Sequence, residues 1–184
     1  MPIHSILLLT LSPPSVVFAR YFDRSSLQTQ EAFESDLVGN AETYLSRGGG
    51  GSSSSEALFC VTVGAGVQVV FQRLGQLVLY VGGTDEMDEI VLADVVACIR
   101  GVIFSLVGQR PEGDGGSDGS GSSSSGGSSS GGGGNSSSFP SDQDVLQSAV
   151  FSALSLAVDE LVAGAGHLDS TDVEGLLLRA KLKV

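Results

Sequence analysis

The chain has 184 residues, 21 acidic and 9 basic side chains for a formal charge of −12, and 41% hydrophobic residues with 8 Phe, 3 Tyr and no Trp. That acidity, without any basic cluster, is a poor match to a polyphosphate backbone and argues against nucleic acid as a partner. No uninterrupted apolar run reaches the roughly 18–20 residues that span a bilayer, and Cys60 and Cys98, each inside an apolar run, read as small core residues of a soluble intracellular protein rather than as a disulfide.

Residues 3–11 form an apolar run too short for a globular helix and ended by Pro13-Pro14. A strand buried on both faces fits it, and a signal peptide does not, because no Lys or Arg precedes the run. Residues 16–22 (VVFARYF) are rich in β-branched and aromatic side chains and predict a second strand, joined to the first by the proline turn. Ser25 and Gln28 have capping-box spacing, and Leu27, Phe33, Leu37, Ala41, Tyr44 and Leu45 recur at helical spacing. An amphipathic helix is expected to about Ser46. A Gly/Ser loop over residues 47–56 follows it.

Three strands are predicted next, over 57–63, 67–73 and 76–81, as a meander. Val67, Val69 and Phe71 alternate with Gln68 and Gln72, which predicts one packed and one wetter face. Gly82-Gly83 is expected to break the last strand, and Thr84-Asp85 to cap a helix whose first turn holds Asp85, Glu86, Asp88 and Glu89. Residues 87–107 are apolar nearly all round, so this helix must be covered on most sides.

Residues 110–140 read as a disordered linker. The stretch 113–134 consists of 11 Gly, 9 Ser and 2 Asp, and such a chain cannot bury enough apolar surface to offset its ordering entropy. A second long helix is predicted over 142–163, capped by Ser141 with Asp144 and ended by Gly164-Ala165-Gly166. Thr171 with Glu174 then opens a short helix running to about Arg179. The order is β-β-α-β-β-β-α-α, an α+β fold with a five-stranded antiparallel sheet and helices on its faces. Outside the Gly/Ser stretches the chain is long enough for a single domain over 1–184, with 141–184 supplying its C-terminal helices.

The candidate chemistry is sparse. Gly64-Ala65-Gly66 resembles the start of a phosphate loop, but Val69 stands where a third glycine belongs and a strand follows, so a hairpin turn is the reading. The acids at 85–89 lack the twelve-residue loop and distal bidentate Glu of a calcium site. Asp159 and Glu160 point about 100° apart on a helix, cannot converge on one substrate atom, and read as a solvated edge. His4 and His167 have no Cys or His at ligand spacing. No catalytic, cofactor-binding or metal residue is assigned, no cofactor is expected, and the reading is of a binding or assembly module and not an enzyme.

Several stretches resemble one family. Phe18-Ala-Arg-Tyr-Phe-Asp23, Gln30-Glu-Ala-Phe-Glu34, Gly66-Val-Gln-Val-Val-Phe-Gln-Arg73, Leu77-Val-Leu-Tyr-Val-Gly-Gly83 and Asp88-Glu-Ile-Val-Leu92 are similar to the small subunits of vesicle coats, most closely the zeta subunit of the COPI coatomer. Leu156-Ala-Val-Asp-Glu-Leu-Val-Ala-Gly-Ala-Gly166 and the Leu-Asp-Ser turn after it are the most specific. The resemblance covers about three quarters of the chain; the Gly/Ser tracts at 48–55 and 110–140 depart from it, both between elements, where insertions cost little.

It implies a longin-like fold and a cytosolic coat protein pairing with the large gamma subunit of coatomer. That complex is recruited to Golgi membranes by an Arf-family GTPase for Golgi-to-ER retrograde and intra-Golgi transport. Membrane association would be peripheral, through the complex and on COPI-coated vesicles. The alternative is the sigma subunit of a clathrin adaptor, with a role in dileucine cargo sorting; the basic ending Arg179-Ala-Lys-Leu-Lys-Val184 resembles zeta chains. A SNARE longin domain is disfavoured because a heptad helix and membrane anchor would have to follow Val184. The partner-interface residues stay unassigned.

Overall fold

A computed structural model describes residues 2–23, 26–47, 57–64, 66–84, 88–108, 142–163 and 166–183. The two Gly/Ser stretches at 48–56 and 110–140 lie outside these residues, as do Ser25, Asp85–Met87 and Ser141 with the capping roles expected of them.

The chain begins with two antiparallel strands, β1 (Ile3–Leu11) and β2 (Pro14–Tyr21). Helix α1 (Leu27–Arg47) follows, then β3 (Leu58–Val63), β4 (Val67–Leu74) and β5 (Leu77–Gly83). These five strands form one antiparallel sheet in the order β2-β1-β5-β4-β3. β1 therefore sits inside the sheet, hydrogen-bonded on both sides, which is why its residues are apolar on both faces. The remaining elements are α2 (Glu89–Gly108), α3 (Asp142–Leu146), α4 (Ser148–Leu161), a two-stranded ribbon of β6 (Val162–Ala163) and β7 (His167–Leu168), and α5 (Val173–Lys183).

The period-2 alternation of β1 divides the interior in two. Ile6 and Leu8 point to the face covered by α2, α4 and α5, where they meet Leu79, Leu92, Ile99 and Leu154. Leu7 and Leu9 point to the other face, with Phe33 and Leu37 of α1 and Phe71 and Tyr80 of the sheet. Among the described residues, α2, α3, α4 and α5 contribute to one face's core and α1 to the other's.

Several expectations are corrected. Gly82-Gly83 does not break β5 but pairs within it, opposite Ser5, Ile3 and Gln68. A Cβ on Gly82 would stand 3.0 Å from the Ser5 hydroxyl and 3.3 Å from Val67, so crowding between strands, not a turn, is what requires glycine there. Gln72 is 2% exposed and Val70 is buried, so both faces of β4 are packed because helices cover both faces of the sheet. At the start of α1, Ser26 Oγ accepts the Thr29 N–H at 3.3 Å and meets the Thr29 hydroxyl at 2.8 Å.

At α2 the capping group is Asp88, whose Oδ1 accepts the Ile90 N–H at 2.9 Å, leaving Glu89 as the acid of the first turn. By length and composition α2 is apolar enough to cross a membrane, although Asp94 and Arg100 interrupt its run. In this fold Leu92, Val95, Val96, Ile99 and Val102 are buried in the core.

The helix expected over 142–163 is broken at Gln147, which is extended at φ −58° and ψ 130°. Nine residues separate Val145 from Leu154, about two and a half helical turns, so an unbroken helix would turn their side chains to opposite sides. Both are buried in the same core, at 0% and 1% exposure, and the break at Gln147 is what lets α3 and α4 both face it. Leu161 ends α4, and Val162 leaves it extended to enter the β6–β7 ribbon, so the helix stops before the glycines. Gly166, at φ +83°, packs so closely on the backbone of Ile3 that a Cβ would collide with its carbonyl oxygen. Helix α5 begins at Val173, with Leu176 N–H bonded to Asp172 O at 2.9 Å, and runs beyond Arg179 to Lys183.

Candidate functional site

The residues singled out by sequence fall in separate places. Gly64 and Gly66, at φ +56° and +91°, sit in the turn between β3 and β4, which closes on the Val63–Val67 pair. Asp159 and Glu160 diverge as helix geometry requires. The Asp159 carboxylate accepts a hydrogen bond from Arg20 of β2 at 2.5 Å, and Glu160 pairs with Arg179 of α5 at 3.6 Å. They are therefore not a merely solvated edge: each ties α4 to a neighbouring element. His167 is exposed in β7. Cys60 and Cys98 are free thiols, Cys60 half-buried beside Gln68 and Cys98 buried. Among the described residues no group of three His, Cys, Asp or Glu is placed to hold a metal ion.

His4 is different. Between Ile3 and Ser5 the β1–β5 register slips by one residue, since Ile3 pairs with Gly83 and Ser5 with Gly82. His4 is the extra residue of a β-bulge. In an unbroken strand it would share the face of Ile6 and Leu8, but the bulge turns it toward α1. There its ring lies 5.0 Å from Phe33 and 6.1 Å from Tyr21, with Nδ1 3.0 Å from the Ser5 hydroxyl and Nε2 3.4 Å from Asp23. Burial lowers the pKa of this imidazole below its ordinary value, and Asp23 offsets only part of that.

Tyr21 donates its hydroxyl hydrogen bond to Glu34 Oε1 at 2.9 Å. Burial first, and the Glu34 carboxylate second, raise its pKa above the usual phenol range, so it stays protonated.

A single helix cannot fill the width of a five-stranded face, and hollows remain on either side of α1. One, about 330 Å³, lies beside its first turns and is lined by His4, Tyr21, Asp23, Phe33, Asp36 and Val67. The other, about 380 Å³, lies along the edge strand β2, between Pro14 and Val16 and the acids Glu31 and Glu34 of α1. Tyr21, Asp23, Phe33 and Asp36 were not assigned to a site from sequence. The available signal was His4 itself, a polar ring inside an otherwise apolar strand.

The exposed large apolar side chains gather partly at the two sheet edges. Leu58 (47% exposed) is on β3, and Tyr44 of α1 (37% exposed) packs on Phe59 of β3 with ring centroids 6.0 Å apart. At the other edge, exposed Phe151 of α4 meets Phe18 of β2 at 5.7 Å, with exposed Leu146 on the neighbouring α3. Such surfaces suit a protein that packs against another chain.

No protein-family model and no curated protein sequence matches the chain. In structure it is similar to one chain of a homology model of the full-length AP-3 complex in a stretched open conformation. The TM-score is 0.59 at 12% identity, covering 98% of this chain and 92% of that one. At that identity the likeness is one of fold: a longin-like α+β architecture, a five-stranded antiparallel sheet with helices on both faces.

Proposed function

We propose that the protein is the small subunit of a vesicle coat, a zeta-type chain of the COPI coat that pairs with the large gamma subunit. The observation that supports this is the fold, similar nearly end to end to that of a chain of an AP-3 complex. The motifs Phe18–Asp23, Gly66–Arg73 and Leu156–Gly166 turn the reading toward zeta. In this role the protein is a structural component and not an enzyme. It reaches Golgi membranes and COPI vesicles from the cytosolic face, through the rest of the coat and an Arf-family GTPase. The sigma subunit of a clathrin adaptor is the second reading, and the likeness to an AP-3 chain is compatible with it.

Separate co-expression of the tagged chain with the coatomer gamma subunit and with clathrin-adaptor large subunits tests both. A stoichiometric complex with gamma alone supports the zeta role. A complex with an adaptor large chain alone replaces it by sigma, and no complex with either removes the coat reading.

A further inference from the structure

The hollow beside the first turns of α1 has a chemistry that subunit pairing leaves unexplained. Its walls are the rings of His4, Tyr21 and Phe33, with Val63 and Val67 opposite, and its charged groups are the carboxylates of Asp23 and Asp36. Among the described residues no lysine or arginine lines it. The rings are tilted or edge-on to one another, with centroids 5.0 to 6.4 Å apart, so they do not close into a stack that fills the space. Aromatic faces and carboxylates share one preference, an organic cation. A formal charge of −12 draws basic segments toward the molecule as a whole. At about 330 Å³ the hollow is at the small end of ligand pockets, suited to one long side chain.

We propose that this hollow is a binding site for an arginine side chain of a partner polypeptide. The aliphatic stem lies along Val63 and Val67, and the guanidinium reaches the rings and the carboxylates of Asp36 and Asp23. A planar guanidinium serves both surfaces at once, stacking on a ring while donating to a carboxylate; a lysine ammonium is a hydrated point charge and does so less well. A metal ion fits poorly, since most of the wall is ring and methyl carbon with no lone pairs to offer. The bulge at His4 gives the site its third ring and holds it against Phe33, so the strand irregularity has a purpose in the hollow. The hollow has this chemistry whichever large chain pairs with the protein.

The test is a titration of the full-length chain with N-acetyl-arginine amide, its uncharged isostere N-acetyl-citrulline amide, and N-acetyl-lysine amide. Binding is followed by NMR at the His4 ring protons and the methyl groups of Val63 and Val67. The arginine compound is expected to give saturable shifts in the millimolar range, as a fragment of that size should. The citrulline compound should bind at least about fivefold more weakly, and lysine should fall between them. Asp36 is exposed on α1, so Asp36→Asn should keep the melting temperature while weakening arginine binding by about fivefold. An equal response to citrulline, lysine binding as tight as arginine, no saturable shift, or an Asp36→Asn variant that binds like the wild type would each overturn the proposal.

Discussion

His4 and Gly166 show how single positions hold the start of β1 in place. The folded chain resists protonating the buried His4 ring, whereas the unfolded chain takes up that proton near the ordinary value of 6.5. The unfolded state therefore binds more protons as pH falls below that value. The ring's contribution to stability is complete above about pH 6.5 and is lost as pH drops through its lower folded pKa. Melting temperature between pH 7 and pH 5 should fall more steeply for the wild type than for His4→Gln; parallel curves would contradict the burial argument.

Gly166→Ala meets two penalties, a left-handed backbone and a collision with the Ile3 carbonyl. Together they should cost about 2 kcal/mol or more, read as a lower denaturant midpoint at unchanged slope. The thiols also differ by position. Burial first, then Asp172, pushes Cys98 up to about 11, and burial with Glu89 raises Cys60. Labelling with an aromatic disulfide at pH 8 should be slow for both and reach half-buried Cys60 first; a fast phase surviving in Cys60→Ala would refute that order.

Among the elements, the two edges of the sheet are unequally guarded. β2 opens with Pro14, carries Arg20 in an ion pair with α4, and has Phe151 of that helix against its Phe18. β3, with the sequence Leu-Phe-Cys-Val-Thr-Val, holds no charge and no proline, the devices that usually protect an edge. The isolated protein should therefore bind a hydrophobic dye and self-associate at high concentration. Leu58→Lys should lower both, with stability unchanged within ~0.5 kcal/mol because the side chain is already half exposed. Dye binding and association that stay at wild-type level in this variant would mean that the adhesive surface lies elsewhere.

The elements also show which signals the sequence carried. The run from Ile3 to Leu11, apolar or small apart from His4, read as a buried strand, and that reading holds. The break at Gln147 was not legible, because it depends on where Val145 must point once α2 and the sheet are in place. Glycines misled twice: Gly82 serves close strand packing and Gly83 pairs within β5, and α4 has already ended at Leu161, before Gly164. The hollow was hidden for a related reason, since the bulge that turns His4 toward α1 is a property of register against β5.

At the scale of the whole molecule, the described residues place α2, α3, α4 and α5 on one face of the sheet and α1 alone on the other. In sequence the 113–134 stretch lies between α2 and α3. Deleting it should change stability by less than ~1 kcal/mol, since closure entropy varies only slowly with loop length. A clear fall in melting temperature would show that it packs on the body. Phe71, wholly buried between rings at 5.3 and 5.4 Å, belongs to the thinner face. Phe71→Ala should cost about 3–5 kcal/mol, and amides of α1 should then exchange before those of α2.

The placement of β1 between β2 and β5 has a temporal side. β1 leaves the ribosome well before its inner neighbour β5, which follows only after β2, α1, β3 and β4 have been made. Through that interval the β1–β2 hairpin carries Ile6, Leu7, Leu8 and Leu9 with one edge unpaired and neither face covered. A nascent chain stalled before Leu77 should be captured by chaperones and sensitive to protease, and release should come only when β5 has emerged. A strand paired on both sides and largely buried in the mature protein is thus exposed at birth.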